Sequence, residues 1–132
     1  MSDPEVTARG LLSELEERLA TKDLDQMTDL FTDDVVLIGD AVENFDRSAT
    51  VEYLGLMADM APTVRWKWDR VAVVLSAPGL LGFAAAGNIW FDDEAGQPMD
   101  DPKPFRLTCL AVEEEDRWRW THFHGSRPEA ED

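Results

Sequence analysis

The segment Trp118-Arg119-Trp120-Thr121-His122-Phe123-His124-Gly125-Ser126 alternates in chemical character from one residue to the next. Successive side chains of a β-strand point to opposite faces, so we predict a strand over 117–126. One face then carries Trp118, Trp120, His122, His124 and Ser126, and the other carries Arg117, Arg119, Thr121 and Phe123. A β-bulge inside the segment would reverse this assignment beyond the bulge.

Three long strands precede this segment and complete an antiparallel meander. Two apolar runs, 64–75 and 80–91, are joined by Ser76-Ala77-Pro78-Gly79, which is a hairpin signal. A polar loop rich in proline and glycine leads to a third strand over 104–112. A tight acidic turn at 113–116 then connects that strand to the last one.

The N-terminal half reads as helices and one short strand. Asp3-Pro4 indicates the start of a helix, whose apolar face is Ala8, Leu12, Leu15 and Leu19. A second helix has the face Leu24, Met27, Leu30 and Phe31, and Val35–Ile38 follows as a strand. A third helix after Asp46 has the face Ala49, Tyr53, Leu56, Met57 and Met60. We therefore predict one α+β domain over 1–132, with three N-terminal helices packed on one face of an antiparallel sheet.

The strands are apolar on both faces, which bears on assembly. Nearly every residue of 71–75 and 80–91 is a candidate for burial, but three helices cover only one face of the sheet. The second face then requires a partner, most simply a second copy of the chain. We expect a homodimer.

Composition excludes several classes of partner. The chain of 132 residues has 28 acidic and 12 basic side chains, for a formal net charge of −16. Such a chain repels nucleic acids and anionic membranes. The sequence has no apolar run of about 18 residues and its first residues do not resemble a secretion signal, so we expect a cytoplasmic protein. Cys109, the single cysteine, lies in an apolar run and is predicted to be buried.

The last strand also resembles a known family. Its tryptophan, two histidines and serine, spaced as Trp118, His122, His124 and Ser126, are similar to the terminal strand of SnoaL-like domains and of the association domain of calcium/calmodulin-dependent protein kinase. The helix-to-strand junction over 23–39 resembles that of the wider nuclear transport factor two-like superfamily. Arg47 to Leu54 and Arg106-Leu107-Thr108 resemble the family's third helix and penultimate strand.

This resemblance implies a cone-shaped, strongly curved sheet wrapped against the helices, a cystatin-like α+β roll with a cavity at its wide end. The fold hosts isomerases, cyclases, dehydratases and non-enzymatic modules, so it does not fix a function. One hypothesis is a cofactor-independent isomerase, cyclase or dehydratase that performs acid–base chemistry on a small hydrophobic carbonyl compound. The alternative is a non-catalytic module that binds a ligand or assembles subunits.

Candidate site residues follow from chemistry and position. His122 and Asp40 are the proposed proton carriers, because imidazole titrates near neutral pH and Asp40 ends a strand. The histidine-bearing face of the last strand is placed toward the cavity. The ligand-binding set is otherwise aromatic or a polar side chain within an apolar element: Tyr53, Trp66, Asn88, Trp90, Arg106, Trp120 and His124. No cofactor or metal is expected, because the two histidines lack further ligands at a recognisable spacing.

Each candidate also has a purely structural interpretation. Asp40 is typical of a turn, Tyr53 is typical of a core residue with a hydrogen-bonded hydroxyl, and both histidines are compatible with structural positions where their ring nitrogens are hydrogen-bonded. Counting outward from a turn centred on Glu115 places Arg106 opposite His124 and diagonal to His122, at the floor of the cavity. Alternatively, Arg106 pairs with an acid such as Asp69.

Overall fold

The computed structural model describes residues 3–39, 42–60 and 63–127, and within them it has three helices and six strands. In chain order these are α1 (Pro4–Thr21), α2 (Leu24–Thr28), β1 (Phe31–Ile38), β2 (Glu43–Asn44), α3 (Arg47–Met60), β3 (Thr63–Ala77), β4 (Leu80–Asp92), β5 (Lys103–Glu114) and β6 (Arg117–Ser126).

Helix α1 begins and ends where its sequence dictates. The Asp3 carboxylate accepts a hydrogen bond from the Glu5 backbone N–H at 2.8 Å, and Pro4 occupies the first turn. Lys22, with φ of 59°, caps the C-terminus in the left-handed conformation. Ala8, Leu12 and Leu15 of the predicted apolar face are buried, Leu19 is partly buried, and Leu11 is buried as well.

The six strands form one mixed sheet in the order β2-β1-β6-β5-β4-β3. All neighbouring pairs are antiparallel except β1 and β6, which are parallel. The helices pack on the inner face of this curved sheet, mainly α1 against β3 and α3 against β1. The predicted α+β class is confirmed, and the parallel pair joins the N-terminal half to the last strand.

Leu24, assigned to the apolar face of the second helix, is 50% exposed, so that assignment was wrong. Two further local predictions in the N-terminal half were also wrong. Phe31, assigned to the second helix, is the first residue of β1 and is fully buried. Leu56, assigned to the inner face of the third helix, is 58% exposed, whereas Thr50, Val51 and Leu54 are buried. The apolar run around Phe31 fits either a helix or a strand, and the apolar residues of the third helix fit more than one buried face. In both cases the tertiary contacts decide between the alternatives.

A β-bulge in β6 changes the register of the last strand. Leu110 pairs with His122, but Ala111 pairs with Trp120, so Thr121 is the extra residue. The turn before it is Glu115-Asp116, and both residues have positive φ (52° and 66°), as a type I′ hairpin requires. The bulge places Trp120 and Phe123 on the same, inner face, where both are buried with ring centroids 5.8 Å apart.

The core lies between the inner face of the sheet and the helices. Trp120, 1% exposed, contacts both Phe83 and Phe123, and Cys109 is buried beside them as predicted. Burial raises the pKa of the Cys109 thiol, because desolvation disfavours the thiolate. No helix among the described residues is long and apolar enough to cross a bilayer.

Candidate functional site

A cavity of about 430 Å³ lies between the inner face of the sheet, α1 and α3. Its wall is mostly aliphatic and aromatic. The residues that line it are Leu15, Leu19, Phe31, Leu37, Ile38, Gly39, Val42, Tyr53, Leu54, Met57, Thr63, Val64, Trp66, Ile89, Phe91, Phe105, Phe123, Gly125 and Arg127. Gly39, Thr63, Phe91 and Arg127 stand at the same end of four strands, and Arg127 is exposed, so the cavity opens toward this end of the strands.

Few polar side chains line this cavity. Among the described residues they are Tyr53, Thr63, Trp66 and Arg127, and none of these carries a carboxylate. Tyr53 and Arg127 each take part in further interactions within the protein. The indole N–H of Trp66 is buried, has no hydrogen-bond partner in the described part of the chain and has no accessible surface, so it does not face the cavity; the donors of the wall are Arg127 and the hydroxyls of Tyr53 and Thr63. The wall therefore offers hydrogen-bond donors in an apolar setting.

Trp66 is held in place by several contacts. Its backbone N–H donates to Glu16 Oε2 of α1 at 2.9 Å. Its ring lies 5.4 Å from that of Trp68, which lies 6.1 Å from that of Phe105. This row of aromatic rings crosses from β3 to β5 and stiffens one side of the cavity.

Gly125 explains how Phe105 fits into the wall. A Cβ at position 125 would lie 2.8 Å from Phe105 Cζ and 3.0 Å from Leu107 Cδ2. Real Cβ atoms do not approach so closely, so a larger residue would displace the Phe105 ring. The absence of a side chain on β6 therefore leaves room for the ring on β5.

The outer face of the sheet holds most of the predicted polar site. The bulge at Thr121 turns His122 and His124 to this face, opposite Leu110 and Thr108. The prediction that the histidines point into the cavity is corrected: neither lines it, and His124 and Thr108 are exposed. The two rings are edge to face, with centroids 6.5 Å apart. Burial first, and the neighbouring His124 second, lower the pKa of His122 from its usual 6.5.

Arg106, Asn88 and Trp90 also lie on the outer face. Arg106 pairs with Ser126 rather than with His124, because the turn is centred between Glu115 and Asp116 and the bulge adds one more residue. The predicted polar floor of the cavity is therefore absent at these positions. Trp90 donates its indole N–H to Asp92 Oδ1 at 3.1 Å, and Arg65 donates to the other oxygen of Asp92 at 3.3 Å.

The predicted ligand-binding set thus divides three ways. Tyr53 and Trp66 line the cavity, and Trp120 is a core residue. Asn88, Trp90, Arg106 and His124 lie on the outer face, together with the proposed base His122. Asp40 lies outside the described residues, although the preceding Gly39 lines the cavity. No group of three or more metal-ligating side chains occurs among the described residues.

Several wall residues were missed from the sequence, above all Phe91, Phe105, Phe123 and Arg127. For two of them the signal was strand alternation: Phe105 shares a face with Leu107 and Cys109, and Phe91 shares one with Ile89. Anchoring β4 and β5 on their most apolar alternating positions would have selected Phe91 and Phe105, whereas the position of Phe123 depends on the bulge and Arg127 lies beyond the strand. Ranking residues by aromatic and imidazole content favoured the wrong face of β6 instead.

Known proteins share this architecture. A candidate calcium/calmodulin-dependent protein kinase II association domain from Xanthomonas campestris is similar, with a TM-score of 0.80 and 18% identity over 94% of this chain and 88% of that protein. A candidate dehydratase of the NTF2-like family from Streptomyces avermitilis has a TM-score of 0.78 and 13% identity over 96% of each chain. A candidate scytalone dehydratase from Novosphingobium aromaticivorans has a TM-score of 0.77 and 8% identity over 98% of this chain and 89% of that one.

At these identities the likeness concerns the fold alone, and no curated protein matches the sequence. The family is assigned by a match of the sequence to a known domain family. Residues 9–130, nearly the whole of the described chain, match the SnoaL-like domain. The matched region includes the cavity wall from α1 to Arg127. The chain is a member of the SnoaL-like domain family.

Proposed function

We propose that the chain binds a small hydrophobic molecule in the cavity between the sheet and the helices. The observation that carries this proposal is the cavity itself, whose volume of about 430 Å³ falls within the range of roughly 300–1,000 Å³ common for small-ligand sites. Its wall is apolar apart from four polar side chains among the described residues. Removing the matching apolar surface of a ligand from water supplies the driving force for binding.

The polar side chains favour a ligand that carries oxygen acceptors. Arg127 and the hydroxyls of Tyr53 and Thr63 can donate hydrogen bonds, and an oxygen acceptor on the ligand would accept from them. No side-chain carboxylate among the described wall residues is available to accept from a ligand rich in donors. A hydrophobic carbonyl compound meets both conditions.

Catalysis by acid–base chemistry is the second candidate, with isomerisation, cyclisation or dehydration as the reaction class. It is favoured by Tyr53 in the wall and by the position of Asp40, which follows the wall residue Gly39 in sequence. Histidine is not the proton carrier in this scheme, because His122 lies on the outer face. Asp40→Asn and Tyr53→Phe would abolish turnover of a bound compound while leaving its affinity nearly unchanged.

Calorimetric titration with a series of small aromatic ketones tests the binding proposal. Val64→Phe places a larger side chain in the cavity, whereas Val74→Phe makes the same change at a position that is 71% exposed and remote from it. We expect Val64→Phe to weaken binding about tenfold or more, since the added ring occupies ligand volume, and Val74→Phe to leave it unchanged. Binding that both variants retain equally would place the ligand elsewhere, and the absence of binding to the wild type would refute the proposal.

A further inference from the structure

We infer that the ligand of this cavity carries a carboxylate, and that Arg127 holds it at the mouth. This inference rests on the proposed binding function and specifies the ligand class. Arg127 is the one charged side chain among the described residues that line the cavity. A cation beside an otherwise apolar wall matches an amphipathic acid, with its hydrophobic body inside and its anionic group at the entrance.

The position of Arg127 follows from the strand that precedes it. Phe123 and Gly125 line the cavity from the inner face of β6, and Arg127 continues the same alternation one step beyond the end of the strand. Its side chain is exposed, so the guanidinium keeps most of its hydration while it borders the cavity. A carboxylate bound there would also remain partly hydrated, which limits the desolvation cost that a fully buried ion pair would incur.

The chemistry of the guanidinium suits this role. It has five N–H donors in a planar fork that matches the two oxygens of a carboxylate. Arg127 also interacts with a group of the protein, and a fork of this kind serves that group and a ligand oxygen together.

The long-range field makes this local cation more important. The chain carries a formal net charge of −16, which repels an anionic ligand from most of the surface. An acid therefore binds only where a fixed positive charge compensates at short range. Arg127 provides that charge at the opening through which the hydrophobic body of the ligand would enter.

A pair of ligands with the same shape and different charge tests the inference. The probes are 2-naphthoate and 2-naphthamide, measured by calorimetry against the wild type, Arg127→Gln and Arg127→Lys. We expect the wild type to bind the acid about tenfold more tightly than the amide, because a charge-assisted hydrogen bond exceeds a neutral one. Arg127→Gln should abolish this preference without changing the affinity for the amide, and Arg127→Lys should restore part of it.

Arg70→Gln is the matched control, since Arg70 is exposed on β3 and does not line the cavity. It should leave the preference intact. Equal binding of acid and amide to the wild type would overturn the carboxylate inference and leave the binding proposal standing. A preference that survives in Arg127→Gln would overturn the role of Arg127. Binding of neither probe, nor of any aromatic ketone, would refute the underlying binding function instead.

Discussion

Gly87 shows how a single residue permits the curvature of the sheet. Opposite it, β3 has a bulge between Trp68 and Arg70. A Cβ at position 87 would lie 1.9 Å from the backbone oxygen of Lys67, and a backbone atom cannot move aside as the tip of a side chain can. Only glycine fits where the two strands approach this closely.

Gly87→Ala should therefore be strongly destabilising. We expect a loss of about 3 kcal/mol in the free energy of unfolding, the upper part of the range for overpacking. Gly10→Ala is the matched control: nothing lies within 4 Å of a Cβ there, and alanine in a helix should raise the stability by about 0.5–1 kcal/mol. Urea denaturation of both variants checks this, and equal stability of the two would contradict the structural role of Gly87.

Thr121 marks the limit of prediction at the residue scale. The strand itself was predicted correctly from its alternation over Arg117–Ser126. The bulge at Thr121 could not be predicted, because inserting one residue leaves the sequence pattern unchanged while reversing every side chain beyond it. The histidines therefore lie on the outer face and Phe123 lies in the cavity wall. Asn88, Trp90 and Arg106 lie on the outer face through the alternation of their own strands.

At the scale of elements, α1 protects the exposed edge of the sheet. Strand β3 is the last in the sheet order, so the backbone groups on its outer edge have no neighbouring strand. Glu16 accepts from the Trp66 backbone N–H at 2.9 Å, and Arg9 donates to the Trp68 carbonyl at 3.4 Å. These two bonds attach the helix to the strand that supports Trp66 in the cavity wall.

Glu16→Ala should lower the free energy of unfolding by about 1 kcal/mol, because the Trp66 N–H loses its acceptor and water replaces it only in part. Glu17→Ala removes the same charge from an exposed position on the same helix and should change stability by less than about 0.5 kcal/mol. Thermal denaturation of the two variants side by side provides the comparison. If Glu17→Ala lost as much stability as Glu16→Ala, the loss would come from the removed charge and not from the hydrogen bond to Trp66.

The same scale shows which elements the sequence predicts well. The four C-terminal strands and both hairpin turns were predicted close to their observed bounds, since local alternation and turn residues determine them. The parallel pairing of β1 with β6 was not predicted. Which strands pair when they are so distant in sequence depends on how the helices between them pack. A local sequence pattern does not predict that packing.

At the scale of the whole molecule, the outer face of the sheet is the surface where we expect a second copy to bind. Its central positions alternate with the buried inner ones and include Ala84, Ala86, Thr108 and Leu110, with Trp90, Arg106 and His122 around them. None of these is acidic, although the chain as a whole carries a net charge of −16. Two copies that meet at these positions bring none of their carboxylates directly together there, which limits their mutual repulsion.

We expect a homodimer through this face, with about 1,200 Å² or more buried in total. Thr108→Glu, which adds a carboxylate to the exposed centre of the face, should shift the protein to monomer at micromolar concentration. Ser13→Glu adds the same charge on an exposed position of α1 and should leave the dimer intact. Sedimentation velocity distinguishes these states, and a wild-type protein that sediments as a monomer would contradict the expectation.

The central claim, that the cavity is a binding site for a small hydrophobic ligand, is tested most directly by a crystal structure of the protein with the tightest-binding aromatic ketone. The claim predicts ligand density enclosed by Tyr53, Trp66 and Phe105. Side chains that fill this space, or ligand density found only on the outer face beside Trp90 and Arg106, would contradict it.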